Sequence, residues 1–384
     1  MKQVAGLIST YSSDEFGICS ALYELGGMVV MHDASGCNST YTTHDEPRWY
    51  DIDSMIYISA ISEMEAIMGD DEKLIRDITE TAQELNPAFV AVTGAPIPYM
   101  IGTDLPAIAA VVEQETGIPS FGFAANGMHD YLSGISMALE AVVNRFCIRA
   151  IPKTERLSVN IIGATPLDFS LNGSIDSMIQ WLQEQDMEPG ACLSMGTTLE
   201  EIKKAGQAHV NLAVSYGGLA AAKTLNRIFG TPYVIGVPVG KTFAAHLADQ
   251  LRQTAADQKN RIGYQETGLS SRISGSQTLA VIGESIYSAS LAAAIGQETG
   301  IPVHVLCPLE TEKALLRECD LETPEEDDLI QHLPQYTGLI ADPLYRPLWE
   351  DRENFYPLPH EAFSGRIYDA VNPNLINRRL RNCV

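Results

Sequence analysis

Residues 16–49 read FGICSALYELGGMVVMHDASGCNSTYTTHDEPRW. Ala21, Leu22 and Leu25 have helical spacing, Gly26-Gly27 ends that helix, and Met28-Val29-Val30-Met31 is a continuous apolar run of buried-strand length. His32-Asp33-Ala34-Ser35-Gly36-Cys37 then forms a turn whose small residues let the backbone approach whatever Cys37 faces. Cys19 and Cys37 therefore sit at the two ends of a helix, break, strand and turn, where both can reach one end of a single α/β layer.

The alternation continues in both directions. Upstream, Val4-Ala5-Gly6-Leu7-Ile8 is strand-like, and downstream come Met55-Ile56-Tyr57-Ile58, a charged helix over 70–85, and the strand Phe89-Val90-Ala91-Val92-Thr93. The prolines of Gly94-Ala95-Pro96-Ile97-Pro98 predict a non-helical loop before a helix over 105–116. A strand over 117–123 and a helix over 131–145 close the block. After the linker Pro152-Lys153-Thr154-Glu155-Arg156, a second block has strands over 158–162, 208–214 and 233–237 between helices over 175–185, 199–205 and 219–229. A polar segment over 257–276 precedes a third block with strands over 278–283, 302–306 and 338–342, and the acidic stretch 322–328 reads as a loop. Strands separated by helices of this length imply βαβ crossovers and parallel sheets. The fold class is thus α/β, with three Rossmann-like domains over 1–152, 153–270 and 271–384, each a parallel sheet flanked by helices.

A length of 384 residues is too great for one ordinary core. With 45% hydrophobic residues, 19% charged ones, no run of eighteen apolar residues and no signal-peptide layout at the first residues, the expectation is a cytoplasmic globular protein. Its 49 acidic against 25 basic residues give a formal charge of -24, which argues against nucleic acid or an anionic membrane as partner. The seven cysteines never form a CxxC pair, so neither a disulfide framework nor a structural zinc site is indicated.

Gly236-Val237-Pro238-Val239-Gly240-Lys241-Thr242 ends like a phosphate-binding loop but is one residue short between its glycines and carries a proline, so it reads as a strand-to-helix turn. Neither a dinucleotide fingerprint, a GxSxG elbow nor an HExxH motif occurs. Acids at Glu63-Met64-Glu65 and Asp70-Asp71-Glu72 could bind a cation, but acids of this kind more commonly mark helix N-termini. His44-Asp45-Glu46-Pro47-Arg48-Trp49 is either a functional loop or a polar turn that satisfies itself. On residue chemistry alone Cys19 and Cys37 read first as buried structural thiols and only second as iron–sulfur ligands. A cluster needs four ligands, which a two-fold dimer contributing both cysteines from each chain would supply.

These segments, taken in order, resemble the nitrogenase component 1 superfamily over nearly the whole chain. His32-Asp33-Ala34-Ser35-Gly36-Cys37 looks like its HGPxGC cluster-ligand turn, with Cys19 as the upstream cysteine. Gly69-Asp70-Asp71-Glu72-Lys73-Leu74 is similar to its GG-x-x-K-L helix start. The segment over 92–104 resembles the one holding a third cluster cysteine, but here that position is Pro96, which has no side-chain ligand. The resemblance then implies two ligands per chain and a four-iron, four-sulfur cluster (4Fe-4S) shared across a dimer interface, either a homodimer or a heterodimer with a paralogue. Asp33 beside the turn could add an oxygen ligand in an asymmetric site, or be an ordinary turn aspartate.

Family members receive electrons from an ATP-dependent iron protein, and the resemblance implies the same partner here. The position matching Ser215 is, in the dinitrogen-reducing subunit, the cysteine that holds the iron–molybdenum cofactor. Serine does not supply that thiolate. What is implied is a nitrogenase-like oxidoreductase, not a nitrogenase, that carries electrons through the cluster to a small-molecule substrate. Ser215, Lys241 and His360 are its pocket candidates. The alternative is a non-catalytic scaffold on which a metallocofactor or tetrapyrrole is assembled.

Overall fold

The computed structural model describes residues 6, 12–36, 38, 46–265, 277–349 and 352–380. The strand expected over 4–8, the residues Cys37 and His44, and most of the polar segment before residue 277 lie outside them. Within the described chain, apolar runs of four to seven residues become strands because both faces of each sheet are covered, as βαβ crossovers require. The first sheet holds β1 (Met28–His32), β2 (Met55–Ile58), β3 (Val90–Gly94) and β4 (Ser120–Phe123) in the order β2-β1-β3-β4. Next come β5 (Ser158–Ala164), β6 (Glu188–Ser194), β7 (Val210–Ala213), β8 (Tyr233–Ile235) and β9 (Arg261–Ile262), ordered β6-β5-β7-β8-β9. The third sheet holds β10 (Leu279–Ile282), β11 (Val303–Cys307), β12 (Leu321–Glu322), β13 (Gly338–Ala341) and β14 (Phe355–Pro357), ordered β12-β11-β10-β13-β14. Every pairing among them is parallel. The chain is therefore α/β with three parallel sheets flanked by helices.

Each sheet reverses its winding once, at β1/β3, β5/β7 and β10/β13. Carboxyl ends of strands at such a reversal leave a crevice, because the loops on either side diverge. Side-chain alternation along β1 splits its residues between two cores: Met28 and Val30 meet Leu74, Ile78 and Ile108, whereas Val29 and Met31 join the larger core with Ile18 and Leu22. Helix Tyr131–Phe146 packs on helix Asp14–Leu22 and on helix Tyr216–Phe229, tying the first sheet to the second. That contact is close because glycine permits it. A Cβ on Gly17 would lie 2.0 Å from the Tyr131 carbonyl oxygen, and one on Gly134 would lie 1.8 Å from that of Asp14.

Three local expectations differ. The prolines at 96 and 98 do not prevent a helix, since Pro96–Ile101 is helical with both in its first turn, where backbone N–H groups have no intrahelical acceptor to lose. Within the acidic stretch 322–328 a helix starts, Glu326–His332, capped by Glu325 and Asp328, because acids favour a helix N-terminus. The strand β6, which opens on Glu188-Pro189-Gly190, has no apolar signature at its start and was not expected.

Candidate functional site

The crevices of the second and third sheets face each other. Beyond β5, the short helix Pro166–Phe169 places Asp168, and beyond β7 the helix Tyr216–Phe229 begins after Ser215. On the other side, Glu284 caps helix Ser285–Thr299, accepting from the Tyr287 N–H at 2.7 Å, and its other oxygen accepts from the Tyr216 N–H at 3.0 Å. His360 follows β14, its N–H donating to Asp342 Oδ2 at 2.8 Å. Tyr131, at the start of its helix, reaches in from the first sheet.

These groups form one buried acid–base set. The Tyr131 hydroxyl donates to Asp168 Oδ1 in a short hydrogen bond. His360 Nε2 lies 3.3 Å from that same oxygen and 3.5 Å from the Tyr131 oxygen, and the imidazole stacks on Phe363 at 4.4 Å between centroids. Asp168 Oδ2 and His360 Nδ1 are buried without a hydrogen-bond partner among the described residues. Burial, reinforced by the Asp168 charge, raises the Glu284 carboxyl above the usual carboxylate range and the Tyr131 hydroxyl well above its own. The cavity between them, bordered by Asp168, Glu284, Tyr287, Asn172, His360 and Asn372, has a free volume of about 20 Å³. That is room for one or two water-sized groups.

Of the three expected pocket residues, His360 alone lines this cavity. Ser215 is fully buried, but its hydroxyl donates to the Gly163 carbonyl at 2.8 Å, so its part is to hold the β5/β7 crossover that presents Tyr216. Lys241 is exposed at the start of helix Lys241–Asp257. The N–H groups of Lys241 and Thr242 point at Glu298 Oε1, 2.9 and 3.4 Å away, so a carboxylate occupies the place a phosphate would take. Sequence reading missed Tyr131, Asp168 and Glu284, which come from three separate segments. The available signal was that Asp168 and Glu284 each stand a few residues past a strand at a winding reversal.

Of the two expected cluster cysteines, Cys19 lies among the described residues, on the helix that precedes β1. Cys19 is fully buried on helix Asp14–Leu22, and burial, then the Glu15 and Glu46 carboxylates, push its thiol well above the ordinary range. One turn earlier, Glu15 is raised to about 8 by burial and by Asp14 and Asp33, with Oε2 unpartnered among the described residues. Asp33 is half-buried and accepts from Asn38 Nδ2 at 3.0 Å. Beside them, Arg48 is buried and fully engaged: Nε meets Glu46 Oε1 at 2.6 Å, Nη1 meets Glu24 Oε1 at 2.8 Å, Nη2 meets the Ser20 carbonyl at 2.8 Å, and the guanidinium lies 4.6 Å over the Tyr23 ring. The described part of the 44–49 loop is thus a polar turn that satisfies itself.

Among the described residues, no group of three or more His, Cys, Asp or Glu side chains is arranged to hold a metal. The donor set here fits an iron–sulfur cluster only in part, as one described thiol beside a carboxyl with a free oxygen. Nearby, helices Glu63–Met68 and Pro96–Ile101 touch and carry exposed apolar side chains, Met64, Ile67, Met68, Tyr99 and Met100.

A family model for nitrogenase component 1 type oxidoreductases matches residues 21–331. A light-independent protochlorophyllide reductase subunit from Leptolyngbya boryana is 25% identical over 265 residues, 62% of this chain and 51% of that protein. The nitrogenase iron-molybdenum cofactor biosynthesis protein NifE of Clostridium pasteurianum is 24% identical over 250 residues, 60% of this chain and 53% of that protein. This chain spans about half the length of the curated relatives it matches. Among solved structures, nitrogenase Cp1 at pH 6.5 superposes with a TM-score of 0.72 at 16% identity, covering 98% of this chain and 91% of that one, which is a likeness of fold.

Proposed function

Because this chain belongs to the nitrogenase component 1 type oxidoreductases, we propose that it is a cytoplasmic component 1 reductase acting on a small molecule at the junction of its three sheets. The observation that carries this reading is the buried Tyr131–Asp168–His360 set between two winding reversals. A reduction consumes protons as well as electrons, and a histidine held by a carboxylate is suited to hand one over. Asp168 orients the imidazole, Tyr131 fixes Asp168, and the remaining nitrogen, Nδ1, is left free to serve a ligand. Electrons would come from an ATP-dependent iron protein. Cys19 and Cys37, from this chain and from a second copy or a paralogue, would hold the 4Fe-4S cluster that supplies electron storage. The exposed patch on helices Glu63–Met68 and Pro96–Ile101 supports a protein partner at that end, since contiguous apolar surface of this kind marks interaction sites.

The test is to supply reduced iron-protein partner and ATP to the anoxic chain with a panel of small oxidised substrates. Repeated turnover that falls about 100-fold in His360→Ala is the expected outcome. One stoichiometric transfer, or turnover unchanged by His360→Ala, would count against it.

A further inference from the structure

Among the described residues, the junction cavity is lined by two acids, Asp168 and Glu284, and by a single base, His360, with neither lysine nor arginine. The Asp168 side chain is only 1% exposed, yet its Oδ2 has no partner among the described residues. A buried carboxylate oxygen left without a donor is costly, and native structures rarely tolerate one without a ligand, ion or water to satisfy it. A second feature of the same space is aromatic. Phe169 and Tyr287, with ring centroids 5.8 Å apart in an edge-to-face pair, also line the cavity. Aromatic rings attract cations through their quadrupole. A buried carboxylate oxygen without a partner among the described residues, beside an aromatic pair, is the chemistry of ammonium recognition.

We propose that the cavity receives the ammonium head of a small organic amine, with Asp168 Oδ2 accepting from it and Phe169 and Tyr287 flanking it, so that the substrate is an amine and not a carboxylate or phosphate. This rests on reading the cavity as the substrate site. An ammonium group is close to water in size, offers three donors, and so fits the free volume and the unpartnered oxygen at once.

The test measures binding to the full anoxic chain, without partner or reductant, by ligand-observed NMR with propylamine, propanol and propionate as matched probes. Propylamine is expected to bind at least about tenfold more tightly than either of the others, and Asp168→Asn to weaken it by at least about tenfold. Propanol or propionate binding as tightly as propylamine, or no propylamine binding, overturns the proposal on the unmodified chain alone. Propylamine affinity unchanged in a folded Asp168→Asn chain overturns it as well. Amine binding without turnover in the partner assay would instead count against the reductase reading and leave the amine site standing.

Discussion

Where the end of helix Asp14–Leu22 meets the segment leading into β2, a buried carboxylate, Glu46, and a half-buried one, Glu24, meet one buried guanidinium, Arg48, which also bonds the Ser20 carbonyl and covers Tyr23. At the junction of the second and third sheets, two buried carboxylates, Asp168 and Glu284, meet a tyrosine hydroxyl, backbone N–H groups and one imidazole, with no guanidinium or ammonium among the described lining residues. What differs is who supplies the positive charge. The Arg48 network closes on itself, and the same helix leaves over a thiol, Cys19, one turn from Glu15. The junction leaves over a carboxylate oxygen and an imidazole nitrogen. A closed network is a structural brace, and leftover groups of defined chemistry indicate what must come from outside.

That contrast can be broken most forcibly at Arg48. Arg48→Ala strands Glu46 and Glu24 without their counter-charge, and the expected loss is about 3 kcal/mol or more of unfolding free energy by urea titration. The matching change at the junction, Asp168→Asn, removes a charge that has no full partner and is expected to alter stability by less than about 1 kcal/mol. Equal effects at the two positions would erase the distinction. Next in size, Ser215→Ala removes the hydroxyl donated to Gly163 and should lower stability by about 1 kcal/mol while leaving turnover intact, as befits a brace. A large loss of turnover with stability unchanged would return Ser215 to the pocket.

Glu284 gives the pH dependence. Its folded carboxyl is raised by burial and by Asp168, so between the usual carboxylate range and its raised value the native chain holds a proton the unfolded chain has released. Stability contributed by this group is complete below the usual carboxylate range and is lost as pH rises through the folded value. Glu284→Gln should therefore flatten the decline of stability with rising pH, by about 1.4 kcal/mol for each pH step of one that this window spans. Parallel pH profiles for the two chains would contradict this. The smallest expected effect is at Lys241, where substitution by alanine should change stability by no more than about 0.5 kcal/mol and leave turnover unaltered.

The fold was legible in the sequence wherever a strand is buried on both faces. Met28–Met31, Val90–Thr93, Ser158–Ile162 and Thr278–Ile282 all announce themselves as apolar runs between helices. Strands that open on polar or glycine-rich residues, such as β6, or that are two or three residues long, such as β12 and β14, carry too little apolar signal to stand out. The helix at Pro96 was hidden because proline's exclusion from helix interiors does not extend to the first turn.

The site divides the same way. Cys19 and His360 could be picked out one residue at a time, through segments that resemble a family. Tyr131, Asp168 and Glu284 could not, because their partnership is created by the facing of two sheets and has no spacing in the chain. Ser215 and Lys241 were drawn in by their neighbourhood in sequence, and the first is spent on the backbone while the second faces solvent.

Iron and acid-labile sulfide content of the anoxically purified chain tests the central claim most directly, because the proposed reductase reading depends on a cluster held by Cys19 and Cys37. About two irons and two sulfides per chain are predicted, as expected for one four-iron cluster shared by two copies, falling to none in the Cys19→Ala, Cys37→Ala double variant. A chain purified without iron, or a double variant that keeps its full iron content, would contradict the account.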